Sequence, residues 1–446
     1  MTDTTVGSGG DDFWVDPITV VRSYVYTYVS EFGEEGPPSA PTVKTGNVGE
    51  TWSLLIPDPT SSQLNGRSIT TKRVYRTVTS VLGIATYFRV DEIAVGVTSY
   101  SDNKTDDDIT GNEQLQSTGW IPPDSSLKGW VAMPNGIIAA WKDNEVWFCE
   151  PYRPHAWPAE YAVAVDYPVV GCGVMGQTLI ICTTGSPWTA TGVHPSVMSL
   201  AKINSYEPCT SRASIISTPN GVIYSSPNGL VVATPGQVTN LTQGLIGPAE
   251  WKSRSNIYKL RAVQFNTAYM AYETPGITET NGIMIDPSAS NSRLGYIQLK
   301  DTSYAISNII ADPWSALPLI IKGGQVFVLD NPDSTNLQPY KWRSKIFKMN
   351  KKENLGAAKI YFTVPPGAPT LIDRVVNPTT LTASMYGIFR VYCDGVLRFS
   401  RELRTSGEEF RLPSGFMAEE WQFEIEARVI VTDIQIASTS RELGRG

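Results

Sequence analysis

Short runs in which apolar and polar residues alternate recur along most of the chain, a period-two pattern that predicts strands rather than helices. In Ser23–Ser30 (SYVYTYVS), Tyr24, Tyr26 and Tyr28 point one way and Val25, Thr27 and Val29 the other. The following EFGEEGPPSAPT reads as turn and extended linker. Further runs at Thr51–Ile56, Thr71–Thr77, Ala85–Ile93 and Val97–Ser101 are each bounded by Gly, Pro, Ser or Asp, the spacing of a β-sandwich over residues 17–105. Residues 1–16 carry no such pattern and are expected to form a flexible arm. Residues 106–119 are expected to be an acidic, solvated linker, because Asp106, Asp107 and Asp108 lack the spaced loop of a calcium site.

Between residues 120 and 339 a looser unit repeats: an apolar strand, a Gly-centred turn, a second apolar strand. It occurs as VAMPNGIIAAWKDNEVWFCE, VVGCGVMGQTLIICTTGSPW and SIISTPNGVIYSSPNGLVVAT, then in LRAVQFNTAYMAYE with GIMIDP and in NIIADPWSALPLIIKGGQVFVLD. Repeats of about 40–50 residues built this way predict a β-propeller-like domain of about five or six blades. Asn135-Gly136, Asn220-Gly221 and Asn228-Gly229 suit its hairpins. The Gly-His and Trp-Asp signature of WD40 blades is missing, and a stacked pair of sandwiches is the alternative.

Residues 340–446 predict a small C-terminal β-sandwich. Gly387–Cys393 and Val396–Leu403 flank Asp394-Gly395, a strong hairpin signal. WQFEIE alternates strictly, placing Trp421, Phe423 and Ile425 inward and Gln422, Glu424 and Glu426 outward. The expected fold class is therefore all-β: an N-terminal sandwich, a central propeller-like domain and a C-terminal sandwich.

Three segments carry a resemblance. YVYTYVSEFGEEGPPSAP looks like the late strand and exit of a fibronectin type III-like module of the kind found in phage virion proteins. FCEPYRPHAWP (Phe148–Pro158) and EEFRLPSGFMAEEWQFEIEA (Glu408–Ala427) are similar to segments of phage and prophage structural proteins. Together they resemble the tail and neck structural proteins of tailed bacteriophages, among them the propeller-bearing nozzle proteins of short-tailed phages. The resemblance implies a virion tail component assembled in the host cytoplasm. Identical subunits would close a ring, six-fold as tail-tube rings typically are, that extends the DNA exit channel. Its neighbours would be an adaptor, a portal-side ring and fibres, and genomic DNA would pass without tight binding. The alternative is a receptor- or glycan-binding tail module or a fibre adaptor, with or without glycan hydrolysis.

Composition narrows this picture. Hydrophobic residues form 41% of the 446 positions and charged residues 18%, enough to fill sizeable cores and exclude a wholly disordered chain. The net charge of −7 and the lack of a Lys/Arg block argue against sequence-independent DNA binding by a basic face. Neither a signal peptide nor an apolar run long enough to span a membrane is read in the sequence. Five cysteines without CxxC spacing point to buried free thiols rather than a zinc site or disulfide framework.

No cofactor motif is found: no nucleophile elbow, no phosphate-cradling loop, no Asp box. Asp143, Glu145, Glu150 and Asp166 are acids that a glycosidase could use, without a pattern that selects any pair. The two histidines, His155 and His194, sit beside prolines without metal-ligand spacing and are expected to be loop residues. Trp130, Trp141, Trp147 and Trp188 are expected to be core pieces. Trp157, with His155 in RPHAWP, is the best candidate for an exposed contact. Lys345, Lys348, Lys351 and Lys352 (in SKIFKMNKKEN) are either a solvated strand end or a salt-bridging patch for an acidic neighbouring subunit.

Overall fold

The structure, a computed structural model, describes residues 19–64, 66–79, 85–254, 256–274, 280–286, 296–301, 305–329, 339–365, 385–415 and 417–443. The arm expected over residues 1–16 lies outside them. The chain is all-β and divides into two compact units, residues 1–329 and 330–446.

The first unit opens with β1 (Thr19–Ser30), β2 (Thr42–Asn47), β3 (Trp52–Leu55), a single turn α1 (Ser61–Leu64), β4 (Ile69–Thr79), β5 (Ala85–Ala94) and β6 (Ser99–Asp102). A four-stranded antiparallel sheet, ordered β2-β1-β4-β5, packs on the β3-β6 pair. Tyr24, Ile56, Val74, Phe88 and Val90 fill the core between them. The alternation of β1 holds, with Tyr24 in this core and Val25, Thr27 and Val29 buried on the opposite face. There the Glu35 carboxylate accepts hydrogen bonds from Thr27 (2.7 Å), Tyr75 (2.7 Å) and Arg73 (2.9 Å).

Residues 106–119 are largely exposed, as expected, but they are not a free linker. They fold along the sandwich as α2 (Asp106–Thr110), opened by a capping box between Thr105 and Asp108, and then as an extended stretch bridging Gln114 to Phe88. Ile109 is fully buried beneath it. The cause is Arg76, a guanidinium wholly inside the sandwich that requires oxygen partners. It donates to Asp102 (2.6 Å), Asp106 (2.8 Å) and the carbonyls of Lys104 (2.9 Å) and Thr105 (3.0 Å). Tyr24 donates to the same Asp102 at 2.7 Å, and burial, followed by that carboxylate, pushes its phenol up to about 12.

Five antiparallel sheets follow. The first comprises β7 (Lys128–Ala132), β8 (Ile138–Lys142), β9 (Glu145–Phe148) and β10 (Val163–Ala164). The second comprises β11 (Val169–Met175), β12 (Thr178–Thr183), β13 (Trp188–Thr191) and β14 (Ser199–Lys202). The third comprises β15 (Ile216–Thr218), β16 (Gly221–Ser226), β17 (Gly229–Thr234) and β18 (Gln237–Asn240). The fourth comprises β19 (Leu260–Phe265), β20 (Ala268–Glu273), β21 (Thr280–Ile285) and β22 (Tyr296–Asp301). The fifth has β23 (Ile306–Ala311), β24 (Pro318–Lys322) and β25 (Gln325–Val328).

Each sheet is a meander, and neighbours stack face to face in a propeller-like row. Leu179 and Ile181 of β12 pack against Val146 and Phe148 of the first sheet, whereas Ile180 and Cys182, one residue along, pack against Val222 and Tyr224 of the third. Ile223 of the third sheet meets Tyr269 and Ala271 of the fourth; Met270 and Tyr272 meet Ile306, Ile309 and Ile320 of the fifth. A strand buried on both faces must be apolar at every position, which is why TLIICT and AYMAYE read as runs rather than alternations.

The second unit is a sandwich of β26 (Tyr340–Arg343), β27 (Phe347–Glu353), β28 (Ala357–Thr363), β29 (Gly387–Cys393), β30 (Val396–Leu403), β31 (Glu409–Arg411), β32 (Ala418–Ala427) and β33 (Ile430–Ala437). One sheet runs β26-β32-β29-β30 with β27 also on β32; the other is β31-β28-β33. Asp394 (φ 47°) and Gly395 (φ 78°) turn β29 into β30 with both φ positive, as a type I′ hairpin demands. Trp421, Phe423 and Ile425 face the core as expected.

Glu424 points away from that core, yet it is not solvated. It is fully buried under cations from the neighbouring strands: Lys341 (3.1 Å), Arg343 (2.8 Å) and Arg390 (2.8 Å). Burial alone would push its carboxyl up, but these hydrogen bonds outweigh it and hold the group below the usual carboxylate range.

All five cysteines are free and buried. Burial pushes the thiols of Cys149, Cys172 and Cys393 up, away from the reactive thiolate. Thiol titration of the native protein is therefore expected to be slow at these sites and to find all five once the chain is unfolded. Fast native labelling of Cys149, Cys182 or Cys393 would show that these strands are not packed as described.

Candidate interaction site on the first sheet

After β9 the chain makes a tight excursion, Glu150–Trp157, that returns over the outer side of the first sheet. Arg153 and Ala156 close it through backbone bonds to Glu150 (3.0 and 2.8 Å), and Tyr152 takes a left-handed φ of 59° at its tip. The Tyr152 ring lies where a Cβ on Gly136 would fall, 2.5 Å away, so only glycine fits beneath it.

The excursion corrects the reading of Trp157. That side chain is wholly buried, packed with Leu127, Ala140 and Cys149, and its indole N–H donates to the Pro154 carbonyl at 2.8 Å. Proline on either side made the segment look like an exposed loop, but the turn folds back and uses the indole as its own core. Trp130, expected to be a core piece, is instead exposed and stands edge-on to Trp157 at 5.0 Å. Trp141 is buried as expected.

His155 joins this excursion to the sandwich. Its Nε2 lies 3.2 Å from the Glu35 carbonyl, which only accepts, so Nε2 carries the proton. Nδ1 is buried without a hydrogen-bond partner, 3.9 Å from the Glu34 carboxylate. Trp120 packs edge-on against the imidazole at 5.9 Å, and the Arg153 guanidinium lies over the same indole at 4.8 Å. Between the Phe32–Glu34 turn and the Pro151–His155 segment opens a cleft of about 500 Å³, rimmed by Phe32, Tyr152, Arg153 and His155.

His194 comes to the other end of the same excursion. It receives the Ser196 N–H at Nδ1 (3.3 Å), so Nε2 faces the Glu150 carboxylate at 3.4 Å. Tyr161 donates to Glu150 at 2.8 Å, and burial, then Glu150, pushes its phenol up. Two of the remaining acids singled out in the sequence are also engaged within the chain. Glu145 accepts from Trp147 at 3.0 Å, Asp166 pairs with Lys202 at 2.6 Å, and Asp143 occupies a left-handed turn position. Among the described residues no group of His, Cys, Asp and Glu is arranged to hold a metal ion, and no helix is long and apolar enough to cross a membrane.

The lysine patch belongs to the second unit, on β27 and just before it. Lys348 pairs with Glu420 of β32 at 3.1 Å, and Lys345 lies over the Phe347 ring at 5.3 Å. Lys351 and Lys352 are exposed on a strand whose register with β32 breaks between Lys348 and Glu353. The structure thus gathers His155 and Trp157 into one site of the first unit, while the lysines belong to the second. Sequence reasoning missed Phe32 and Tyr152, whose only signal was an aromatic residue at each of two turns.

No protein-family model matches the chain, and no curated protein matches it. Among solved structures, the extracellular domain of BT4673 from B. thetaiotaomicron is similar at 14% identity with a TM-score of 0.33, over 66% of this chain and 35% of that one. The N-terminal domain of Nup159 is similar at 9% identity and a TM-score of 0.28, over 68% and 81% of the two chains. BBS1N, solved in complex with ARL6DN, is similar at 10% identity and a TM-score of 0.29, over 57% and 86%. At these scores the likenesses carry no argument about fold or function.

Proposed function

We propose that the chain is a structural component of a phage tail, a ring-forming nozzle-like or tail-tube protein that extends the DNA exit channel. The observation that carries the reading is where the polar and apolar groups lie. Glu150, Asp166, His155, His194 and Lys348 are each engaged by a neighbour in the chain, whereas large apolar side chains stand exposed, among them Phe32, Tyr152, Trp314 and Val326. That division suits a part that works by assembly. The resemblance of its sequence segments to tail and neck proteins names the assembly. Identical subunits close a ring through head-to-tail contacts, and the acidic total suits a channel wall that repels phosphate.

Negative-stain electron microscopy of the purified chain is expected to show rings with an axial channel wide enough for duplex DNA, about 20 Å plus hydration. Mobility-shift assays at about 50 mM salt are expected to show negligible duplex affinity, although electrostatic binding is strongest there. Closed trimers without a channel, or tight salt-sensitive binding, would overturn the reading. A second reading rests on the aromatic rims of the cleft, Phe32 and Tyr152, which would suit stacking on a sugar ring. It makes the chain a receptor- or glycan-binding tail module, and trimeric symmetry would favour it.

A further inference from the structure

The fifth sheet has a side that nothing in the sequence reading anticipated. Ile309 and Ile320 face the fourth sheet and are buried. The antiparallel register sets Ile310 opposite Leu319 and Leu319 opposite Val328, and Ile321 opposite Val326, so these five share the other face. Ile310, Val326 and Val328 are exposed there, Val326 to 61%. The turn between β23 and β24 presents Trp314, which is 95% exposed. That turn is rigid. Asp312 accepts from the backbone N–H of Trp314 (3.3 Å) and Ser315 (3.1 Å) and from the Ser315 hydroxyl (2.5 Å), and Ala316 sits at φ 57°. A large apolar side chain held out by an ordered turn is a contact waiting for a partner.

We propose that the partner is a second copy of this chain, and that two copies join head to tail. The open face of the fifth sheet and Trp314 pack on the outer side of the next copy's first sheet, against Trp130, Tyr152 and Phe32. The proposal rests on the ring reading and names its interface. The occupant is argued from the chain's own construction. Four times within one copy, an apolar sheet face is covered by the next sheet in the row, and the fifth face is of the same kind. The outer side of the first sheet offers what such a face and an indole require. Trp130 is exposed beside the excursion, and the cleft of about 500 Å³ is rimmed by Phe32 (78% exposed) and Tyr152 (80% exposed). Because the two surfaces differ and lie on the terminal sheets of the row, the contact is heterologous and propagates from copy to copy until a ring closes.

The test uses the full chain and two single variants, Trp314→Glu and Tyr152→Glu, with Phe32→Glu as a second variant of the receiving side. All three side chains are exposed, so circular dichroism and thermal midpoint are expected to match the wild type. Each variant alone is expected to sediment as a monomer, with self-association weakened by about 100-fold or more. Mixed together, Trp314→Glu copies keep an intact receiving side and Tyr152→Glu copies an intact donating side. The mixture is therefore expected to give one-to-one dimers and nothing larger. Rings that persist in both variants would overturn this interface and leave the ring reading standing. Monomeric wild type at micromolar concentration would overturn both. Loss of assembly in only one of the two sides, or a mixture that stays monomeric, would overturn the pairing.

Discussion

Trp421→Ala is expected to lower the stability of the C-terminal unit by about 3–5 kcal/mol, the cost of removing a large aromatic from a packed core. Trp421 is 1% exposed and shares its core with Phe389, Phe410 and Phe423; Phe389 and Phe423 stack at 6.2 Å. Its indole N–H also donates to the Ala418 carbonyl at 3.3 Å, so the substitution removes this hydrogen bond as well as opening a cavity. Gln422→Ala is the control one position along. Sequence alone puts Gln422 on an outward face with a cost below about 0.5 kcal/mol. The structure raises that figure, because the Gln422 amide donates to the Ser344 carbonyl at 2.9 Å, and about 1 kcal/mol is expected. Urea denaturation followed by far-ultraviolet circular dichroism separates the two values. Equal costs at 421 and 422 would mean that β32 does not have this register.

In the N-terminal sandwich, Asp102→Ala is expected to cost about 3 kcal/mol or more. Arg76 and Asp102 are both fully buried, and removing the carboxylate leaves a guanidinium in the interior with its closest counter-ion gone. Asp106 and two backbone carbonyls still hold Arg76, which places the expectation at the low end of the range for broken buried pairs. The double variant Arg76→Leu/Asp102→Leu separates pairing from packing. With no stranded charge it is expected to be less destabilised than Asp102→Ala alone. A double variant at least twice as costly as the single one would show that the pair itself, rather than the unpaired charge, carries the stability.

Hairpins were the most legible part of the fold. Asp394-Gly395 announces its turn, and both flanking strands begin and end where alternation begins and ends. The central strands were legible as apolar runs, but a run does not say that its two faces serve different neighbours; the stacking of Ile180 and Ile181 in opposite directions supplies that. β2 was missed because TVKTGN is an edge strand exposed on both faces, so no alternation was required of it. Alternation placed Glu424 on the correct face yet could not show that Lys341, Arg343 and Arg390 roof it. Trp157 failed for a related reason: local pattern describes a segment, and whether a proline-rich turn folds back depends on what lies beneath. His155 was recognised as a loop residue, but its bond to the Glu35 carbonyl links positions 120 residues apart and leaves no trace in spacing.

The one-by-one stacking of the five sheets has a consequence for how the first unit comes apart. Each interior sheet is held by two neighbours and the fifth by one among the described residues, so stability there behaves as a sum of nearest-neighbour couplings. Amide hydrogens of β23 to β25 should exchange first, through opening of a single interface, and protection should rise toward β12 and β16. Joining a second copy at that end would convert the fraying sheet into an interior one. Assembly would then slow exchange most in a segment that otherwise opens most readily, and fastening the row would be the same event as extending it.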